Sequence, residues 1–284
     1  MLKKIFFAAA LLLASELIAK PVVIASIAPV EYLAKAVGGD KIEVQSLAKG
    51  DVHSYEPKPN DMKAVAKASL FIAAGLEFEE AWIPRFKASA KNLVVVKSDA
   101  KIAKLKEERG EQTEHDEKHE AHADPHVWLN PMLAITMARN ISDALIDMDK
   151  ANKDFYLKNF QKLMNDLLAF DESAKNELAG LKNRKFVVYH PAWGYFAAHY
   201  DLEQISIERS GKEPKIDEMA STLKMIKDEN IKVIFADPNR SQKSAQILAS
   251  QTGAKVELLD PLGYNLLENL KIAVVAIKDA NSPK

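Results

Sequence analysis

Seven histidines and no cysteine set the coordination chemistry open to this 284-residue chain. Without thiolates there are no cysteine zinc sites, iron–sulfur clusters, disulfides or lipid-anchored cysteines, so any metal must be held by imidazole and carboxylate. Three of the histidines, His115, His119 and His122, crowd one polar stretch from Lys106 to Asp124, KEERGEQTEHDEKHEAHAD. Three others stand apart: His53 in GDVHSYEP, His126 in DPHVWLNP and His190 in VVYHPAW, with His199 as the remainder. Asp260, in LLDPLG, is the carboxylate placed most like them.

Three imidazoles and one carboxylate match the tetrahedral N/O shell that Zn²⁺ accepts. Each residue also has an ordinary structural reading, as a hydrogen-bonded histidine beside a strand or an Asp-Pro turn. Catalysis is the rival use of such a set, but a zinc hydrolase needs an open coordination position and a general base. Asp237, in FADP, is a conceivable base and equally suits a turn. The HDEKH run from His115 to His119 imitates a metalloprotease HExxH helix, yet Asp116 stands where the glutamate must be and no apolar face accompanies it. Gly211-Lys212 is followed by Glu213 and lacks the glycine spacing of a phosphate-binding loop.

The elements that must position these residues are legible as apolar, β-branched runs separated by helix-like stretches, the pattern of βα units on mostly parallel sheets. Strands are expected at Val22–Ala25, Ile42–Ser46, Leu70–Ala73 and Leu93–Val96. A second set falls at Phe186–Tyr189, Gln204–Ile207, Val233–Ala236 and Lys255–Leu258. Four and four predict two similar α/β lobes. In open α/β sheets ligands bind outside the carboxyl ends of the strands; His53, His190 and Asp260 all follow predicted strands. Pro131 opens an apolar helix to about Met148 that places His126 just before it. Asn152 is a candidate cap for the next helix, in which Tyr156, Phe160, Leu163, Leu167, Phe170, Ala174, Leu178 and Leu181 recur at spacings of three and four. That pattern predicts one long helix of about 40 Å joining the lobes, against an alternative of two helices broken near Asp171. Residues 20–150 then form the first lobe, 151–182 the linking helix and 183–284 the second lobe. Residues 106–124 have no apolar periodicity and read as a solvated, mobile loop.

Charge excludes some partners. Lys and Arg number 39 against 40 Asp and Glu, so no global basic field points to nucleic acid. The start of the chain reads as a secretory signal peptide: Lys3-Lys4, an apolar run from Ile5 to Ala14 too short to span a bilayer, and Ala19 as the expected cleavage point.

Several segments together, HSYEPKPNDM from His53, DPHVWLNP around His126, VVYHPAWGYFAAHYDLEQISIE around His190, GKEP at Gly211, FADP at Phe235 and LDPLG at Leu259, resemble the cluster A-I metal-binding proteins of ABC importers, bacterial solute-binding protein family 9. The likeness runs along most of the chain in one order and is greatest to the ZnuA-type zinc members. It implies a periplasmic, non-enzymatic, monomeric carrier that takes Zn²⁺ as cargo between two lobes and passes it to a membrane permease with a separate ATPase subunit. It implies His53, His126 and His190 as ligands, with Asp260 or water in fourth place, because Val52 stands where some zinc members carry an acidic ligand. The family's manganese members have a carboxylate where this chain has His190, and imidazole favours zinc over manganese. The same fold also serves manganese or iron binders and adhesins. The resemblance further implies auxiliary, weak metal binding by His115, His119 and His122. Metal binding is expected to weaken as pH falls towards histidine titration near about 6.5.

Overall fold

A computed structural model describes residues 20–106, 123–208 and 216–281. The expected leader at 1–19, the loop histidines His115, His119 and His122, and the Gly211-Lys212 pair lie outside them.

The first lobe runs β1 (Val22–Ala25), α1 (Ala28–Gly38), β2 (Glu43–Ser46), α2 (Pro59–Val65), β3 (Leu70–Ala73), α3 (Glu77–Ser89), β4 (Val94–Lys97) and α4 (Pro131–Met148). After α5 (Lys153–Leu178) the second lobe follows with β5 (Lys185–Val188), α6 (Gly194–His199), β6 (Glu203–Ser206), α7 (Ile216–Asp228), β7 (Val233–Ala236), α8 (Lys243–Thr252), β8 (Lys255–Leu258) and α9 (Leu266–Asn281). Each sheet is parallel and four-stranded, ordered β2-β1-β3-β4 in one lobe and β6-β5-β7-β8 in the other. The lobes therefore repeat one topology. Interior strands β3 and β7 are buried throughout, which is why LFIA and VIFA are unbroken apolar runs, whereas edge strands β2 and β8 alternate or face solvent. The strand positions expected from the apolar runs hold to within one residue.

The α4 helix starts where its proline allows. Pro131 occupies the first turn, where no amide hydrogen is needed, and the Asn130 side chain accepts from the amides of Met132 (2.8 Å) and Leu133 (3.3 Å). Asn152 does precede α5, but its amide group donates to Asp149 instead of capping the helix.

One unbroken α5 of 26 residues, about 39 Å long, buries Tyr156, Phe160, Leu163, Leu167, Phe170, Ala174 and Leu178 along one stripe. Asp171 does not break it. The Asp171 carboxylate accepts from Lys175 on the same helix and pairs with His199 of α6, tying the helix to the second lobe. The helix packs on α1, α4 and α9. A single buried cluster consequently runs from the first sheet through α5 to Phe186, Val188 and Phe235 of the second. A smaller cluster, including Val187, Ile234 and Leu248, fills the outer face of the second sheet. No described helix is long and apolar enough to cross a membrane.

Candidate metal centre

The three isolated histidines converge. His53 sits on the loop after β2, His126 heads the short 3₁₀ turn Val127–Leu129 before α4, and His190 follows β5. His190 thus stands beside the switch point of the second sheet, where β5 and β7 are neighbours but their connections leave in opposite directions. Ring centroids of His53, His126 and His190 are 5.0–5.5 Å apart, and one ligand atom from each lies within 4.8 Å of the other two. Two donors come from the first lobe and one from the second.

The two buried rings are aimed by carboxylates. Asp124 Oδ1 receives the His126 backbone amide at 2.9 Å and lies 2.7 Å from His126 Nδ1. Glu208 Oε2 lies 2.9 Å from His190 Nδ1, leaving His190 Nε2 buried with no hydrogen-bond partner. Both carboxylates are acceptors, so each fixes its histidine with the proton on Nδ1 and the Nε2 lone pair directed into the cleft. Packing assists. Trp128 lies with its ring tilted 60° against His126 at 5.3 Å, and its indole N–H donates across the lobes to the Pro261 carbonyl at 2.7 Å.

His53 is positioned by backbone rather than by its ring, its amide donating to Asp51 Oδ1 at 3.1 Å. Although part of His53 faces solvent, its imidazole lies against two other rings. Burial, reinforced by His126, His190 and Arg240, pushes its pKa down to about 3. Burial, His126 and Arg240 likewise hold His190 well below the ordinary histidine range. These two imidazoles are neutral donors at pH 7. Crowding and desolvation move the titration of His53 and His190 below the ordinary histidine value near about 6.5 at which proton competition is expected.

Arg240 links the lobes at the same place. Its guanidinium contacts both oxygens of Glu208 (2.7 and 2.6 Å), lies 3.1 Å from His190 Nδ1, and reaches Asp51 of the first lobe at 3.2 Å. Burial raises Asp51, but Arg240 and the His53 amide outweigh it and leave Asp51 below its usual range.

Asp260 is not brought into the trio. Its Oδ1 accepts from the Leu262 amide (2.8 Å) and from Asn239 (2.9 Å), so that oxygen is engaged in its own turn. Asp237 instead lines the trio's cavity, with its carboxyl raised by burial. That cavity, among Asp51, His53, His126, His190, Asp237 and Arg240, is about 10 Å³, room for one water-sized species. A larger cavity of about 750 Å³ near Lys185, Phe186 and Lys255 contains none of the histidines.

Asp51, Asp124, Glu208 and Arg240 carry no role in the reading from sequence. Asp124 and Glu208 are present in the segments quoted there, but only the fold reveals which histidine each serves. For Arg240, remote in sequence from every partner, no motif gave warning.

Two α/β lobes on a long helix, closing three imidazoles around a site the size of an ion, define a metal-binding protein of the cleft type. The family model described as "Zinc-uptake complex component A periplasmic" matches residues 23–279, and the chain belongs to that ZnuA family. It is 31% identical over 279 residues to the high-affinity zinc uptake system protein ZnuA of Bacillus subtilis, covering 91% of this chain and 86% of that one. A crystal structure of ZnuA shares 36% identity and a TM-score of 0.86, covering 93% of this chain and 100% of that one. A ZnuA deletion mutant with zinc bound gives 34% and 0.86, covering 93% and 99%. A laminin-binding adhesin of Streptococcus agalactiae has the same fold at 28% identity and a TM-score of 0.80, covering 92% of this chain and 99% of that one.

Proposed function

We propose that the protein captures Zn²⁺ in the cleft through His53, His126 and His190 and delivers it to the permease of an ABC importer whose ATPase is a separate subunit. The observation that carries this reading is the buried, unbonded Nε2 of His190 in a trio drawn from both lobes, with ligand atoms within 4.8 Å. Neutral nitrogen donors suit zinc better than the oxygen-preferring Mn²⁺. The fourth position is filled by water or by Asp260 once it leaves Asn239. The cavity of about 10 Å³ at the trio has the size of a site for one ion.

The reading places the chain in the periplasm as a monomer after removal of residues 1–19, with His115, His119 and His122 as auxiliary, weak zinc donors. Equilibrium dialysis of chelator-stripped protein against equal Zn²⁺ and Mn²⁺ tests it. One tightly held zinc per chain, lost in His190→Ala, is expected; preferential retention of manganese overturns it.

A further inference from the structure

We infer that Arg240 is a positioning residue that joins the two histidine-bearing lobes, so that separating the lobes releases the metal. The inference rests on the zinc-cleft reading above. It starts from an oddity: a guanidinium whose side chain is only 14% exposed stands next to a site for a cation. Its charge is neutralised by two carboxylates with different tasks. Asp51, on the first lobe, holds the backbone amide of His53 and the hydroxyl of Ser54. Glu208, on the second lobe and 4% exposed, holds His190 Nδ1. One side chain therefore clamps the supports of two metal ligands that belong to opposite lobes. His126, in contrast, is served by Asp124, which lies outside this network.

The geometry couples lobe position to ligand orientation. Arg240 Nη2 reaches Asp51 while Nη1 serves Glu208 and lies within 3.1 Å of His190 Nδ1. When the lobes part, Asp51 is withdrawn. Both ends of the guanidinium can then turn to Glu208 as a bidentate pair, competing with the His190 Nδ1–H for Oε2, which already accepts from both. The hold on the ring loosens as His53 moves away, so two of the three zinc bonds weaken in one movement. The planar fork of arginine is required because an ammonium group cannot span these partners.

Zinc-loaded full-length protein mixed with excess chelator in a stopped-flow instrument reads the dissociation rate directly. The variants are Asp51→Asn, Arg240→Gln, their double, and Asp124→Asn alone and combined with Arg240→Gln. Asp51→Asn keeps an acceptor for the His53 amide but removes the charge that holds Arg240. Expected are rate increases of about 10–100-fold for each single change, the range typical of groups that orient metal ligands. The Asp51/Arg240 double should be no faster than its faster single, whereas Asp124→Asn and Arg240→Gln should multiply. Cobalt-loaded Arg240→Gln should show altered visible ligand-field bands at unchanged stoichiometry, which a purely stabilising ion pair would not produce. Should Arg240→Gln fail to fold, Arg240→Lys takes its place with the same expected result. Multiplying effects of Asp51 and Arg240, or an Asp51→Asn rate within about twofold of the parent, overturn the inference. Absence of zinc from the unsubstituted protein would instead overturn the zinc-cleft reading itself.

Discussion

At the scale of residues, the centre is a competition between desolvation and coordination. Three imidazoles so close cannot all carry protons without mutual repulsion, and burial adds to that cost. The folded, metal-free protein keeps His53 neutral down to about pH 3 and His190 neutral well below the usual range. Unfolded imidazoles take up protons below about 6.5. Between these limits the unfolded chain binds more protons, so stability of the metal-free protein is full above about 6.5 and falls as pH drops towards 3. Urea midpoints of metal-free protein should therefore decline from about pH 7 to about pH 5, and His53→Gln should flatten the decline; a midpoint that rises with acid would contradict the assignment. Donor identity gives a second prediction. His190→Asp replaces a nitrogen by an oxygen beside two unchanged imidazoles and should shift competitive retention from Zn²⁺ towards Mn²⁺, measured by metal content after dialysis against both. An unchanged ratio would mean that His190 does not set the preference.

At the scale of elements, the linking helix joins the buried cores of the two lobes. Leu167 is fully buried on α5, in the cluster shared by both lobes. Leu167→Ala should lower unfolding free energy by about 2–5 kcal/mol, and Asn130→Ala, which uncaps α4, by about 1 kcal/mol, both read from urea titrations at one pH. A smaller loss for Leu167 would show that the stripe repacks. The same helix explains how much could be foreseen. Its apolar residues repeat every three or four positions, and Pro131 and the VIFA-type strands are equally local signals, so the architecture was legible from the chain. His53, His126 and His190 are legible too, because the chain-wide resemblance points at all three, strand ends at His53 and His190, and the helix start at Pro131 at His126. Asp260 follows a predicted strand as His53 and His190 do, but its Oδ1 is engaged in a turn with Leu262 and Asn239. Glu208 and Arg240 are 32 residues apart and belong to different loops. Their pairing is a product of tertiary packing, which leaves no periodicity to read.

At the scale of the whole molecule, the lobes share one buried cluster and are stitched beyond it by the Trp128–Pro261 hydrogen bond and the Asp51–Arg240 pair. Wide hinge bending would expose the α5 stripe and its partners on α9, at roughly 25 cal/mol for each Å² of apolar surface uncovered. Capture therefore proceeds by small displacements at the mouth of the cleft, with the bulk of both lobes in place. Zinc binding should change the radius of gyration from small-angle X-ray scattering by less than about 1 Å. It should still stabilise the fold by about 2.7 kcal/mol when free zinc is a hundredfold above its dissociation constant, because only the folded chain assembles the trio. Observing both results together separates this mechanism from a clamshell. A large contraction on zinc addition would require α5 to bend or slide, and would sink the rigid-connector argument even if the metal were bound by the same three histidines.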